Sequence, residues 1–166
     1  MTNKVSQPND AAASSSQGRS AARLAAVQAL YQMDLAQTDL NEVIAEFLDH
    51  RIGSAENAPE LEAADQKYFS ELLHGVMQDQ RKIDPLIDDQ LATGWRLVRI
   101  DKTLRAILRA GTYELIKQHD VPIAVVVNEY IDVAHAFFDG DEPKVVNGVL
   151  DALARKVRAA DSAGNS

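Results

Sequence analysis

The 166-residue chain predicts an all-α protein of about seven helices. Apolar residues recur at three-and-four spacing along most of its length, the periodicity of a helix with one buried face. No strand-like alternation persists. Residues 121–127 are rich in valine, but helical segments flank them and the pattern offers no strand to pair with. Aromatic residues are scarce at 5% while hydrophobic residues make up 46%. Such a core is built from Leu, Ile, Val and Ala, which suits helix packed on helix.

The elements follow in order. Residues 1–18 are polar and low in complexity, with too little apolar surface to offset ordering, and are expected to form a disordered tail. Residues 160–166 are expected to be a second, shorter tail. The first helix spans about 20–36, with Ser20 as N-cap and Val27, Leu30, Tyr31 and Leu35 on one side. A second covers 40–52 and ends at Gly53. Ala58-Pro59 breaks the chain. The third and fourth span 63–80 and 83–92, with Asp84-Pro85 placed in the first turn of the fourth. The fifth, 101–118, has a long apolar face and Gly111 in its middle, where a neighbouring helix is expected to approach closely. The sixth, 124–138, stops at Asp139-Gly140. Pro143 opens the seventh, whose Val146, Val149, Leu150, Leu153 and Val157 form the inner face. The length allows one domain or two tightly packed subdomains.

Charge is unevenly spread. The net is −8, which argues against indiscriminate binding of nucleic acid. Yet Lys4, Arg19 and Arg23 face only Asp10 in residues 1–24, and Lys144, Arg155, Lys156 and Arg158 face only Asp151 in 144–158. If packing brings these ends together, they form one positive patch beside the 139–145 bend. Ordinary dipole compensation at a helix C-terminus is the competing reading for 155–158. Arg19 and Arg23 sit four residues apart near a helix start, where positive charge is unfavourable. Either something outside the helix binds them or they are simply solvated. Arg96, Arg99, Lys102, Arg105 and Arg109 follow at spacings of three or four. They form either a solvated basic ridge or a docking surface for a partner.

The chemistry of a catalyst is missing. The chain has no cysteine, so it has neither disulfides nor thiolates, compatible with a reducing cytoplasm. His50, His74, His119 and His135 lack ligand spacing. No phosphate-binding loop, dinucleotide fingerprint or nucleophile setting occurs. Asp139, Asp141 and Glu142 crowd one turn but lack the further ligands of a tight cation site. No apolar run reaches membrane length, and the start lacks the basic-then-apolar order of a signal peptide. No cofactor, metal or membrane contact is expected.

Three separated stretches carry a family likeness. Asn128-Glu129, an acidic turn and then Lys144-Val145-Val146-Asn147-Gly148-Val149-Leu150-Asp151 resemble the C-terminal signature of the NusB family of bacterial transcription antitermination factors. Residues 22–31, ARLAAVQALY, and 109–115, RAGTYEL, followed by Asp120-Val121-Pro122, match it in the same order. The likeness spans about residues 19–158. It implies two three-helix units sharing a core, with the fifth helix central. It implies binding of boxA RNA together with NusE, a small-subunit ribosomal protein, and attachment to elongating RNA polymerase with other Nus factors, suppressing termination in ribosomal RNA operons. Some members of the family dimerise. The RNA surface implied is the start of the first helix with the 139–145 bend. Arg19, Arg23 and Lys144 would serve phosphates, and Asp141 and Asn147 would serve base edges. Gln28 and Val145 complete the set, although Val145 replaces a residue that is commonly aromatic, and Ser20 and Ala21 stand where further arginines are common. Tyr31, Arg99, Lys102, Arg105 and Arg109 are candidates for partner contact. A helical adaptor without RNA, or a fragment of a ribosomal RNA cytosine methyltransferase that carries the same module, are the alternatives.

Overall fold

The computed structural model describes residues 8–164, with side chains from 16 to 159. Residues 1–7 and 165–166 of the two expected tails lie outside the described residues. Among the described residues there are six α-helices and one 3-10 turn, and no strand: α1 (Pro8–Ala36), α2 (Leu40–His50), the turn Pro59–Leu61, α3 (Gln66–Gln90), α4 (Lys102–Lys117), α5 (Ile123–Phe137) and α6 (Glu142–Gly164). The all-α class holds, with one helix fewer than expected.

The missing boundary is at Pro85. The segments expected as the third and fourth helices are one continuous helix, α3, with Pro85 inside it. An interior proline costs about 3 kcal/mol through its missing N–H and its clash with the preceding turn. Ile83 and Ile87, on either side, are fully buried. Burying such a side chain contributes about 1.5–3 kcal/mol, so continuing the helix outweighs breaking it. Pro85 itself points to solvent.

The start of α1 also differs. Ser20 is no N-cap: the helix begins at Pro8, a residue suited to the first turn. The boundaries expected at 19 and 159 therefore fall inside α1 and α6. Gly18 explains part of the extension, since its carbonyl accepts from the Asp65 N–H at 2.9 Å. Ser20 Oγ instead donates to Glu129 Oε1 at 2.8 Å. Elsewhere aspartates cap as their chemistry requires. Asp39 accepts from Asn41, Asp65 from Tyr68, and Asp101 from Thr103 and Leu104.

Helix α4 is the axis of the fold. It packs against α1, α3, α5 and α6, with Leu104, Ile107, Leu108 and Leu115 almost wholly buried. On one side α1, α2 and α3 form a three-helix unit in which Phe47 stacks on Phe69 with ring centroids 5.5 Å apart. On the other, α5 and α6 form a hairpin laid on α4. One continuous core joins both halves. Close approach to Gly111 is realised: a Cβ there would meet Leu150 Cδ1 of α6 at 2.8 Å. A second such contact is made at Gly75. The ring of Tyr113 lies across Gly75, so that a Cβ would fall 2.1 Å from its Cε2 and Cζ.

Gly75→Ala is accordingly expected to destabilise the fold by about 1–3 kcal/mol, despite the better helix propensity of alanine. Adding Tyr113→Ala should recover much of the loss. Urea unfolding of the single and double variants checks this; additive losses would show that the two residues do not share the space.

Candidate nucleic-acid interface

Arg23 and Arg19 were expected to face RNA phosphates together. The structure separates their roles. Arg23 is only 2% exposed. Its Nε donates to Glu114 Oε2 at 2.8 Å and its Nη2 to Glu114 Oε1 at 2.9 Å. Tyr68 Oη donates to Glu114 Oε1, and Tyr130 Oη to Oε2. One fully buried carboxylate thus accepts four hydrogen bonds, about the number its lone pairs accommodate. Glu129 Oε2 stands 3.7 Å from Arg23 Nη1. Arg23 is therefore not a surface cation. α1 turns that face inward, where the acid of the Tyr113-Glu114 pair needs a partner. Sequence periodicity could not show this, because an arginine on an apolar face looks the same whether it is paired or solvated.

The charges tune one another. Burial works against ionised Arg23, but the hydrogen bonds and charge of Glu114 overcome it and hold its pKa above the ordinary value. Burial, and then the Glu114 charge, raise Tyr68 and Tyr130 above the usual phenol range; the Arg23 charge opposes this.

Arg19 does reach the surface. It stands 3.7 Å from Asp120 and stacks on Tyr68 at 4.7 Å. That position lies just before α5, whereas Lys144 lies just after it. Fifteen residues of helix at about 1.5 Å each separate them by roughly 20 Å. The single patch joining both chain ends to the bend is thus not formed. The ends do meet, but at the far pole. Arg158 on α6 donates to the carbonyl of Leu115 in the last turn of α4 and to those of Gln118 and Val121 in the loop that also holds Asp120.

The basic ridge is divided too. Arg105 is 8% exposed, pairs with Asp34 of α1, and donates to the carbonyls of Leu97 and Val98. Arg109 binds Asp84 of α3 through two hydrogen bonds, 2.9 and 2.8 Å. Because α4 is packed on several sides, these two arginines serve neighbouring helices and are not a docking ridge. Arg99 remains exposed and Lys102 half-buried.

The other expected residues gather at the pole where α5 ends. Gln28, Tyr31 and Leu35 of α1, Thr103 of α4 and Phe137 of α5 line one groove. Tyr31 and Phe137 are 37% and 40% exposed, so Tyr31 belongs to a surface and not to the core. The bend follows directly, with Asp141, Lys144 and Asn147 exposed. Lys144 Nζ lies 3.7 Å from Asp141, with both side chains at least 85% exposed. Val145 is half-buried against the core. Phe137 is not in the expected set, since periodicity assigns it no face and only the packing of α5 beside α1 shows it exposed in the groove. No cluster of three or more metal-ligating side chains occurs among the described residues, and no helix there is long and apolar enough to cross a membrane.

Removing Arg23 should leave a buried, unpaired carboxylate. Arg23→Ala is expected to cost about 3–5 kcal/mol of stability in urea unfolding; a loss below about 1 kcal/mol would contradict the network. Alkali should act on the same group. In the unfolded chain tyrosines ionise near pH ~10, while native Tyr68 and Tyr130 keep their protons above that. Their contribution is fully present below pH ~10 and falls as pH rises beyond it. Tyr68→Phe/Tyr130→Phe should flatten this decline in a pH series of unfolding free energies.

Comparison with known proteins agrees with this architecture. The NusB family model matches residues 20–155. The transcription antitermination protein NusB of Allorhizobium ampelinum is 56% identical over 140 residues, 84% of this chain and 88% of that protein. That of Rhizobium rhizogenes is 51% identical over 152 residues, covering 92% and 95%. Among solved structures, NusB of T. maritima superposes with a TM-score of 0.70 at 32% identity, over 83% of this chain and 91% of that one. A crystal structure of antitermination factors NusB and NusE in complex with double-stranded RNA gives 0.68 at 26% identity, over 83% and 96%. The chain belongs to the NusB family.

Proposed function

We propose that this protein is a transcription antitermination factor that binds boxA RNA together with NusE and helps RNA polymerase read through terminators in ribosomal RNA operons. It acts as a binding factor in the cytoplasm, with other Nus factors on the elongation complex, and catalyses nothing. Family membership supports the role, as does the likeness to a NusB that was crystallised with NusE and RNA. The observation that carries the RNA reading is the pole of α5: two exposed aromatic rings, Tyr31 and Phe137, adjoin a bend that displays Asp141, Lys144 and Asn147. Stacking surfaces and base-edge groups beside a cation are what single-stranded RNA needs. Gln28 adds an amide within the groove. Arg19 is a remote phosphate contact, reached only by RNA that runs the length of α5. Few phosphates are met, so affinity is modest and a protein partner that extends the surface raises it.

The test is a titration of boxA RNA and a scrambled RNA, each with and without NusE. Preference for boxA, strengthened by NusE, is expected; equal binding of both RNAs would refute the assignment. Each phosphate neutralised on a single strand contributes about −0.7 to the slope of log K against log salt. Lys144→Ala should therefore reduce that slope by about 0.7, and an unchanged slope would remove Lys144 from the interface.

A further inference from the structure

Helices α3 and α4 are joined by residues 91–101, and this connection carries features that neither the family role nor the Tyr31 groove uses. It is pinned from within. The Leu97 N–H donates to Asp88 Oδ1 at 2.8 Å, Leu97 is 1% exposed, and the buried Arg105 donates to the carbonyls of Leu97 and Val98. A segment held this firmly nevertheless presents Trp95 at 48% and Val98 at 74% exposure. Trp95, Arg96, Arg99, Leu104 and Glu142 line a cleft of about 350 Å³, room enough for a small planar ligand.

The cleft carries charged groups of both signs. Arg96 and Arg99 are exposed and hold no carboxylate among the described residues, whereas Arg19, Arg23, Arg51, Arg105, Arg109 and Arg155 each hold one. In a chain with net charge −8, carboxylates to pair with are not in short supply. Two acids, Asp101 and Glu142, also line the cleft. Asp101 Oδ1 is committed to capping α4, accepting from the Thr103 and Leu104 N–H groups at 2.7 and 3.2 Å. Among the described residues nothing donates to Glu142 Oε2, which is buried against Gly140, so this acceptor is left unsatisfied. Glu142 also opens α6, directly after Asp141 and two residues before Lys144.

We infer that this cleft is a nucleotide site for single-stranded RNA: Trp95 stacks one base, Arg96 and Arg99 take the adjoining phosphates, and Glu142 accepts from the N–H groups on the edge of the base. The planar indole supplies a sequence-tolerant platform. The guanidinium forks match phosphate oxygens. The last torsion of Glu142 is soft, and rotation about it turns the carboxylate toward a base amino group. The site rests on the RNA-binding reading above and extends the RNA path from the α5–α6 bend onto the α3–α4 connection.

Trp95 is the only tryptophan, so its emission reports on the cleft alone. The full chain is titrated with a single-stranded boxA RNA carrying a 3′ fluorophore. Anisotropy of the label and tryptophan emission are followed together. The expected result is quenching of Trp95 along the same isotherm as the anisotropy. Trp95→Ala should weaken binding roughly ten-fold with unchanged helicity. Arg96→Ala/Arg99→Ala should lower the salt slope by about 1.4. Glu142→Ala tests the acceptor, and an unchanged Kd for it removes Glu142 from the site. Anisotropy that rises while Trp95 emission and the affinity of Trp95→Ala stay unchanged would overturn this inference and leave the RNA-binding role standing. No rise in anisotropy, with or without NusE, would take down both. Quenching of Trp95 by NusE alone, with no further change on adding RNA, would make the cleft a protein contact and overturn the inference as well.

Discussion

A single buried carboxylate constrains the whole bundle. Glu114 of α4 accepts from Arg23 of α1, Tyr68 of α3 and Tyr130 of α5, so four helices meet at one group. Apolar attraction is non-directional, whereas hydrogen bonds require set distances and angles. Shifting α1 by one turn would move Arg23 about 5.4 Å and strand two charges in a medium that solvates them poorly. The network is fully satisfied, which is the condition for a buried polar cluster to support a fold. Its position also accounts for the layout of the halves, since α4 can supply the acid only if α1, α3 and α5 all pack against it.

The same constraint sorts the cations. Arg23, Arg105 and Arg109 pair across helices and hold the interior together. Lys144, Arg96 and Arg99 are exposed and available to ligands. Salt screens the second group far more than the first. Stability and RNA affinity are therefore separable in this protein: moderate salt weakens the interface and leaves the helix–helix pairs nearly intact. A count of basic residues along the sequence merges these populations and overstates the positive surface.

Binding groups collect at one pole because of where helices end. α5 finishes at Phe137, α6 starts at Glu142 and α4 starts at Lys102, and the second half of α1 passes beside them. Helix ends and connections display side chains that helix flanks would bury. The long α3 contributes as well. By continuing through Pro85 it delivers the 91–101 connection to this pole, where Asp88 and Arg105 hold it in place.

Periodicity determined the class, the α5–α6 hairpin, the central helix and the close approach at Gly111, because each depends on local spacing or on a residue with one physical use. The three family words were legible for the same reason. The stop of α5, expected at Asp139-Gly140, is instead made by the extended backbone of Phe138, and Gly140 has no left-handed conformation. Tertiary structure alone decided the rest. Asp84-Pro85 looks like a helix start until Ile83 and Ile87 are seen buried on both sides of it. Arg23 looks like a phosphate ligand until Glu114, far along the chain, is found 2.8 Å away. Arg19 and Lys144 look like neighbours until α5 is laid between them. A local pattern records which faces are apolar, but the partner of a charge is chosen by the packing of distant segments, and no short window of sequence contains that information.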